Sequence, residues 1–171
     1  VARVQQRQTV DLSAYPDLVV IYLGMQAKSL RGLRTLLSYG QRITRSVEAA
    51  PDGLLRHQFM MFSLFPPHLG MRQYWRDFDA LERWARSEPH RTWWQALLRD
   101  PGGTGFWHET YFIRGGIETI FLDVNPPTGL LSFAQAHEAR GAMFSARRRL
   151  RVQGEEQAPP GLTEEEFYQA R

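Results

Sequence analysis

Between residues 17 and 124 the hydrophobic pattern switches repeatedly between a period of two and a period near 3.6, and the order of those switches restricts the fold more than any other feature. Residues 17–23, DLVVIYL, form a short β-branched and aromatic run bounded by Pro16 and Gly24. Such a run predicts a buried central strand. In residues 29–51, Leu30, Leu33, Leu37, Ile43 and Val47 recur at helical spacing, with Arg31, Arg34, Arg42 and Arg45 mainly on the other side. Ser29 is placed to cap this helix, and Pro51 and Gly53 end it. Residues 54–65, LLRHQFMMFSLF, read as a strand that stops at Pro66-Pro67, and residues 69–75, LGMRQYW, as the next. A helix capped by Asp77 or Asp79 follows through Arg86, with Phe78, Leu81 and Ala85 inward, and residues 90–100 make another that ends at Pro101-Gly102-Gly103. Residues 105–113, GFWHETYFI, give the fourth strand, Gly115-Gly116 a hairpin turn, and residues 117–124, IETIFLDV, a fifth strand.

The order is β-α-β-β-α-β plus a terminal hairpin strand, the split βαβ pattern of an α+β protein. It predicts a four-stranded antiparallel sheet with the helices on one face. The other face needs cover. An isologous homodimer, sheet against sheet, supplies it, and the space between the sheets is then the expected site. Residues 1–134 are expected to form this domain with its extra strand. Residues 135–171 are expected to be a helical extension of the same domain: a stretch near 132–150, a Gln/Glu/Pro linker and a short polar helix from Thr163.

Several functional classes are set aside by composition. The 171 residues include no cysteine, which excludes disulfides, thiolate metal sites and cysteine nucleophiles. No apolar run approaches the roughly 18 residues of a membrane span. The N-terminal VARVQQRQTVDL has no signal-peptide core, so a soluble cytoplasmic protein is expected. The net charge is +3 and Lys28 is the only lysine. Twenty-one bases are offset by eighteen acids, which disfavours a nucleic-acid partner. The run Arg147, Arg148, Arg149 and Arg151 precedes Glu155 and Glu156 and reads as a solvated tail. His57, His68, His90 and His137 are scattered, with no His-x-His or His-x-x-x-His pair and hence no local metal motif. No Gly-x-Gly-x-x-Gly or Walker pattern occurs, which argues against a nucleotide cofactor.

Four stretches carry a resemblance: DLVVIYLGM (17–25), RQYWRDFDALERWAR (72–86), GFWHETYFI (105–113) and NPPTGLLSFA (125–134). Together they resemble the monooxygenase-like family of unknown function within the dimeric α/β-barrel superfamily, over roughly residues 8–134. The resemblance implies a ferredoxin-like sheet and a dimeric α/β barrel. Other members of the superfamily include cofactor-free monooxygenases, haem-degrading oxygenases, chlorite dismutases and haem-dependent aldoxime dehydratases. The implied function is a small-molecule enzyme acting in the barrel cavity on an apolar or aromatic substrate, either monooxygenase-like without a cofactor or dependent on haem. The alternative is a non-catalytic dimer that holds a small ligand or haem. Fold likeness alone does not decide between them.

The candidate residues concentrate on two strands. His108 and Glu109 are adjacent, so a regular strand sends them to opposite faces. Phe106, His108, Thr110 and Phe112 form one set; Trp107, Glu109, Tyr111 and Ile113 form the other. His108 and Thr110 are expected to face the inter-sheet cavity, which would leave Glu109 beneath the helices, paired with an arginine such as Arg76. The catalytic candidates are His108, Glu109 and Tyr74. His108 is read as a general base near neutral pH, as a haem axial ligand, or as a structural histidine. Tyr22, Arg72, Trp107, Thr110 and Tyr111 are the ligand-binding candidates. Trp75 is expected to plug the core between sheet and helix. Of the adjacent Trp93 and Trp94, one is expected in the core and the other at a sheet edge or pocket mouth.

Overall fold

The computed structural model describes residues 6–113, 119, 121–122, 127 and 129–143. The elements in chain order are β1 (Arg7–Asp11), β2 (Val19–Ala27), α1 (Leu30–Glu48), β3 (Leu54–Ser63), β4 (His68–Trp75), α2 (Phe78–Arg86), α3 (His90–Arg99), β5 (Thr104–Phe112), β6 (Phe121–Leu122) and β7 (Gln135–Glu138). The chain divides into two compact units, Asp17–Phe112 and the combination of Val1–Pro16 with Ile113–Arg171.

In the Asp17–Phe112 unit the strands form an antiparallel sheet of order β3-β4-β2-β5. This is an α+β, ferredoxin-like arrangement with the helices on one face. The local chemistry follows the sequence closely. Ser29 accepts a hydrogen bond from the Gly32 amide at 3.1 Å and starts α1. Asp77, rather than Asp79, starts α2 by accepting from the Ala80 amide at 2.7 Å. Gly103 sits at φ +80°, where an L side chain is strained, and its carbonyl stands 2.1 Å from where a Cβ on Gly32 would lie. Two glycines thus let α1 approach the turn before β5.

Two clusters join helices to sheet. Val19 and Trp75 pack with Ala80 and Leu81 of α2, and Met25 and Ala27 pack with Leu36 of α1 and Leu97 of α3. Trp75 has no exposed surface and is the core plug the sequence suggested. The buried stripe of α1 differs from expectation. Leu30 and Leu37 are exposed, while Gly32 and Leu36 are buried and Leu33, Tyr39 and Ile43 are half-buried. The 3.6-residue period is right, but it is phased on Gly32 rather than on Leu30, because the glycine permits the closest approach. On α2, Phe78 is 40% exposed, its ring 5.1 Å from that of Phe112.

The other unit contains a second antiparallel sheet of order β6-β1-β7. This corrects two expectations. Phe121–Leu122 does not return beside β5 as a hairpin; it pairs with β1, with Gln8 opposite Phe121. A glycine pair marks a reversal of the chain, not the strand on which it lands. Gly115 and Gly116 themselves lie outside the described residues. Nor is the start of the 132–150 stretch an α-helix. Gly129–Ser132 is a 3₁₀ turn, Gln135–Glu138 is a strand paired with β1, and Gly141–Met143 is another 3₁₀ turn. Long-range pairing overrides the local helical preference there. Residues 144–171, with the arginine run and the helix expected from Thr163, lie outside the described residues.

Candidate functional site

Antiparallel register sorts the side chains of the Asp17–Phe112 sheet into rows. On the helix-facing side, His57, Gln73, Ile21 and Thr110 stand abreast on β3, β4, β2 and β5. The next row is Phe59, Met71, Leu23 and His108, and the one after it Met61, Leu69, Met25 and Phe106. Above these rows the helices leave a cavity of about 420 Å³. Leu36, Tyr39 and Ile43 line it from α1, Leu81, Glu82 and Arg86 from α2, and His90, Trp93, Trp94 and Leu97 from α3. Its size falls in the roughly 300–1,000 Å³ range of small-molecule sites, as does its character of apolar walls with a few convergent polar groups.

The polar groups are held in defined states. Trp75 Nε1 donates to Gln73 Oε1 at 3.1 Å, and Gln73 Nε2 lies 3.2 Å from His57 Nδ1. Burial pushes the His57 pKa below its ordinary value, and the Arg56 charge adds to this. His90 donates through Nδ1 to the Ala85 carbonyl at 2.9 Å. Its ring lies 4.6 Å from Trp84 and 6.4 Å from Trp93. Burial lowers the His90 pKa, against a smaller opposing effect of the Ala85 bond. The Tyr39 hydroxyl donates to the Trp93 carbonyl at 3.2 Å, tying α1 to α3. Glu82 and Arg86 form an ion pair of 2.7 Å. His108 is exposed, 6.5 Å from the Trp94 ring and 6.0 Å from that of Phe106.

The sequence-selected residues therefore separate. His108 and Thr110 line the helix-side cavity, so the expectation that they face away from the helices is corrected. Trp107, Glu109 and Tyr111 hold the opposite face, where Glu109 is exposed and accepts the Tyr111 hydroxyl proton in a hydrogen bond. The desolvation cost of a carboxylate beneath helices decides the parity. Arg76 does not pair with Glu109; it pairs with Asp52 at 3.2 Å and Asp77 at 2.9 Å. Arg72, Tyr22 and Tyr74 also lie on the opposite face. Arg72 donates to Gln58 Oε1 at 3.0 and 2.6 Å and to the Tyr22 hydroxyl at 2.9 Å. Its guanidinium lies 5.6 Å from the Tyr22 ring centre and 5.3 Å from that of Tyr74. Tyr74 is buried, and burial raises its pKa. Trp107 donates to His68 Nε2 at 2.9 Å.

His57, Gln73 and His90 were not singled out by sequence reasoning. His57 and Gln73 meet only because the chain reverses after Ser63 and sets residue 57 opposite residue 73. The Pro66-Pro67 turn was the signal from which that register was open to inference. Among the described residues no group of three His, Asp or Glu side chains is placed to hold a metal ion, and no helix is long and apolar enough to cross a membrane.

Comparison with solved structures shows the same fold. An aldoxime dehydratase superposes with a TM-score of 0.63 at 22% identity, covering 87% of this chain and 44% of that one. A second, the aldoxime dehydratase OxdRE in complex with butyraldoxime, gives 0.60 at 20% identity, with 91% and 46% covered. The chain thus spans less than half the length of these structures. No curated protein matches the sequence. The profile of the family described as Monooxygenase af470-like matches residues 18–130, which includes every strand and helix around the cavity. The chain belongs to the Monooxygenase af470-like family.

Proposed function

We propose that this chain is a small-molecule enzyme whose site is the helix-side cavity and whose substrate is a planar, largely apolar molecule. One observation carries the reading: a ring-walled cavity of about 420 Å³ into which His57, His90, His108 and Thr110 converge from three elements. The monooxygenase-like family supports the enzymatic class, and the size and apolar lining support the substrate class. His108, beside Trp94 at the exposed margin, is the proposed general base. Thr110 is a proposed ligand contact. A homodimer is the proposed oligomeric state.

A specific contact favours a haem-dependent version. Histidines that bind metals commonly donate their other ring nitrogen to a backbone carbonyl, as His90 does to Ala85. This leaves His90 Nε2 with a lone pair beside the Trp84 and Trp93 rings, and these residues would hold the haem. Haem would supply oxygen or substrate activation at its iron. This chain would supply the ligand at His90, with His108 as the second candidate, and an apolar, ring-lined chamber.

The test is a panel of bicyclic and tricyclic aromatic ketones and phenols, incubated in air with and without haemin. Oxygen uptake, product mass and the haem absorption band are followed. The enzyme reading expects turnover that falls at least tenfold in His108→Ala or His90→Ala. Thermal protection by these compounds without turnover would establish the non-catalytic binding alternative instead.

A further inference from the structure

Trp75, Gln73 and His57 form a relay whose direction follows from which groups can donate. An indole N–H only donates. Trp75 Nε1 lies 3.1 Å from Gln73 Oε1, and neither residue has exposed surface. The amide must therefore turn its oxygen to Trp75. Its NH₂, which also only donates, then faces His57 Nδ1 at 3.2 Å. Turning the amide over would set two buried donors against each other, at a cost no other contact of Gln73 offsets. Nδ1 accepts, so the single proton of the neutral ring sits on Nε2. Protonation at Nδ1 would break the Gln73 bond. Besides Gln73, the nearest residues to His57 on the sheet floor are Phe59 and Met71, whose side chains carry no hydrogen-bond donor.

We infer that His57 is a tautomer-locked hydrogen-bond donor that selects ligands carrying an acceptor oxygen, such as a ketone, quinone or phenolate oxygen, on an otherwise apolar planar body. Gln73 and Trp75 are positioning residues for it. The inference rests on the proposal that the helix-side cavity is the ligand site. It deepens that proposal by naming a recognition group distinct from His108 and His90.

Two measurements test it. Nitrogen-15 NMR of the imidazole in the wild-type protein reads the tautomer directly, with a protonated Nε2 and a bare Nδ1 expected. Gln73→Glu replaces the donor by an acceptor and is expected to move the proton to Nδ1. Affinities for 2-acetylnaphthalene and its hydrocarbon isostere 2-isopropylnaphthalene are then compared. The wild type is expected to prefer the ketone by roughly 3- to 10-fold, the range of one net hydrogen bond. The preference should vanish in His57→Phe, which keeps a ring in place and does not depend on the buried Gln73 variant folding. A protonated Nδ1 in the wild type would overturn the inference. So would equal binding of the two compounds, or a ketone preference retained in His57→Phe. Failure of both compounds to bind, with Nε2 protonated, would remove the cavity reading and the selection together, an outcome distinct from the others.

Discussion

His108 and Glu109 are consecutive on β5 and leave the sheet on opposite faces: His108 stands opposite Leu23 on the helix side, and Glu109 opposite Tyr22 on the other. Strand geometry thus separates the two residues with the most evident chemistry. A general base at His108 cannot be assisted by Glu109 within one chain.

That separation gives the first prediction. His108→Ala should lower turnover on aromatic substrates by tenfold or more while changing stability by less than about 0.5 kcal/mol, since the side chain is exposed. Glu109→Gln should leave turnover unchanged. Paired urea melts and initial rates check both statements.

Trp75 combines two roles that substitutions can separate. Trp75→Ala should destabilise by about 3–5 kcal/mol through the cavity it creates. Trp75→Phe should cost less, about 1–3 kcal/mol, through the unpaired oxygen left on buried Gln73. Denaturant midpoints at constant slope would show this order.

Acid should destabilise the fold through His57 and His90. Burial holds both below the ordinary histidine value near 6.5 in the folded chain. Just below that pH the unfolded chain takes up protons that the folded chain refuses. Stability is therefore full above about pH 6.5 and falls as the pH drops toward the folded values. Urea midpoints between pH 7.5 and pH 5 should decline, and the decline should be shallower in His57→Gln and in His90→Gln.

Gly24 lies beneath the Trp107–His68 hydrogen bond. A Cβ there would stand 2.5 Å from Trp107 Nε1 and 2.7 Å from His68 Nε2. Gly24→Ala should break that contact and destabilise by about 1–3 kcal/mol. The Trp107 indole N–H resonance should move with it.

The fold of residues 17–113 was largely legible because each element declares itself locally. The DLVVIYL run, the caps at Ser29 and Asp77 and the Pro101-Gly102-Gly103 stop are short-range signals with a direct physical cause. The β6-β1-β7 sheet was not legible. Its polar strand RQTVD pairs with residues more than a hundred positions away, and nothing in its own composition names those partners. His108 and Thr110 were found as candidates by residue type. Their face was misjudged because period-two alternation fixes which residues share a side, not which side the helices take. The Glu109 desolvation cost was the available guide. His57 and Gln73 needed the β3–β4 register, including its shift between Leu54 and Arg56, before they could be seen as neighbours.

Ligand bound on the helix side of the sheet, as proposed, would meet a different set of tryptophans from ligand bound on the other face. The chain has five tryptophans, of which Trp84, Trp93 and Trp94 line that cavity, Trp75 lies in the core and Trp107 sits on the opposite face. Indole N–H spectra, assigned by single Trp→Phe variants and recorded during titration with 2-acetylnaphthalene, distinguish the two faces. Trp84, Trp93 and Trp94 are expected to shift and Trp107 to stay in place. A shift confined to Trp107 would put the ligand on the opposite face and overturn the helix-side site.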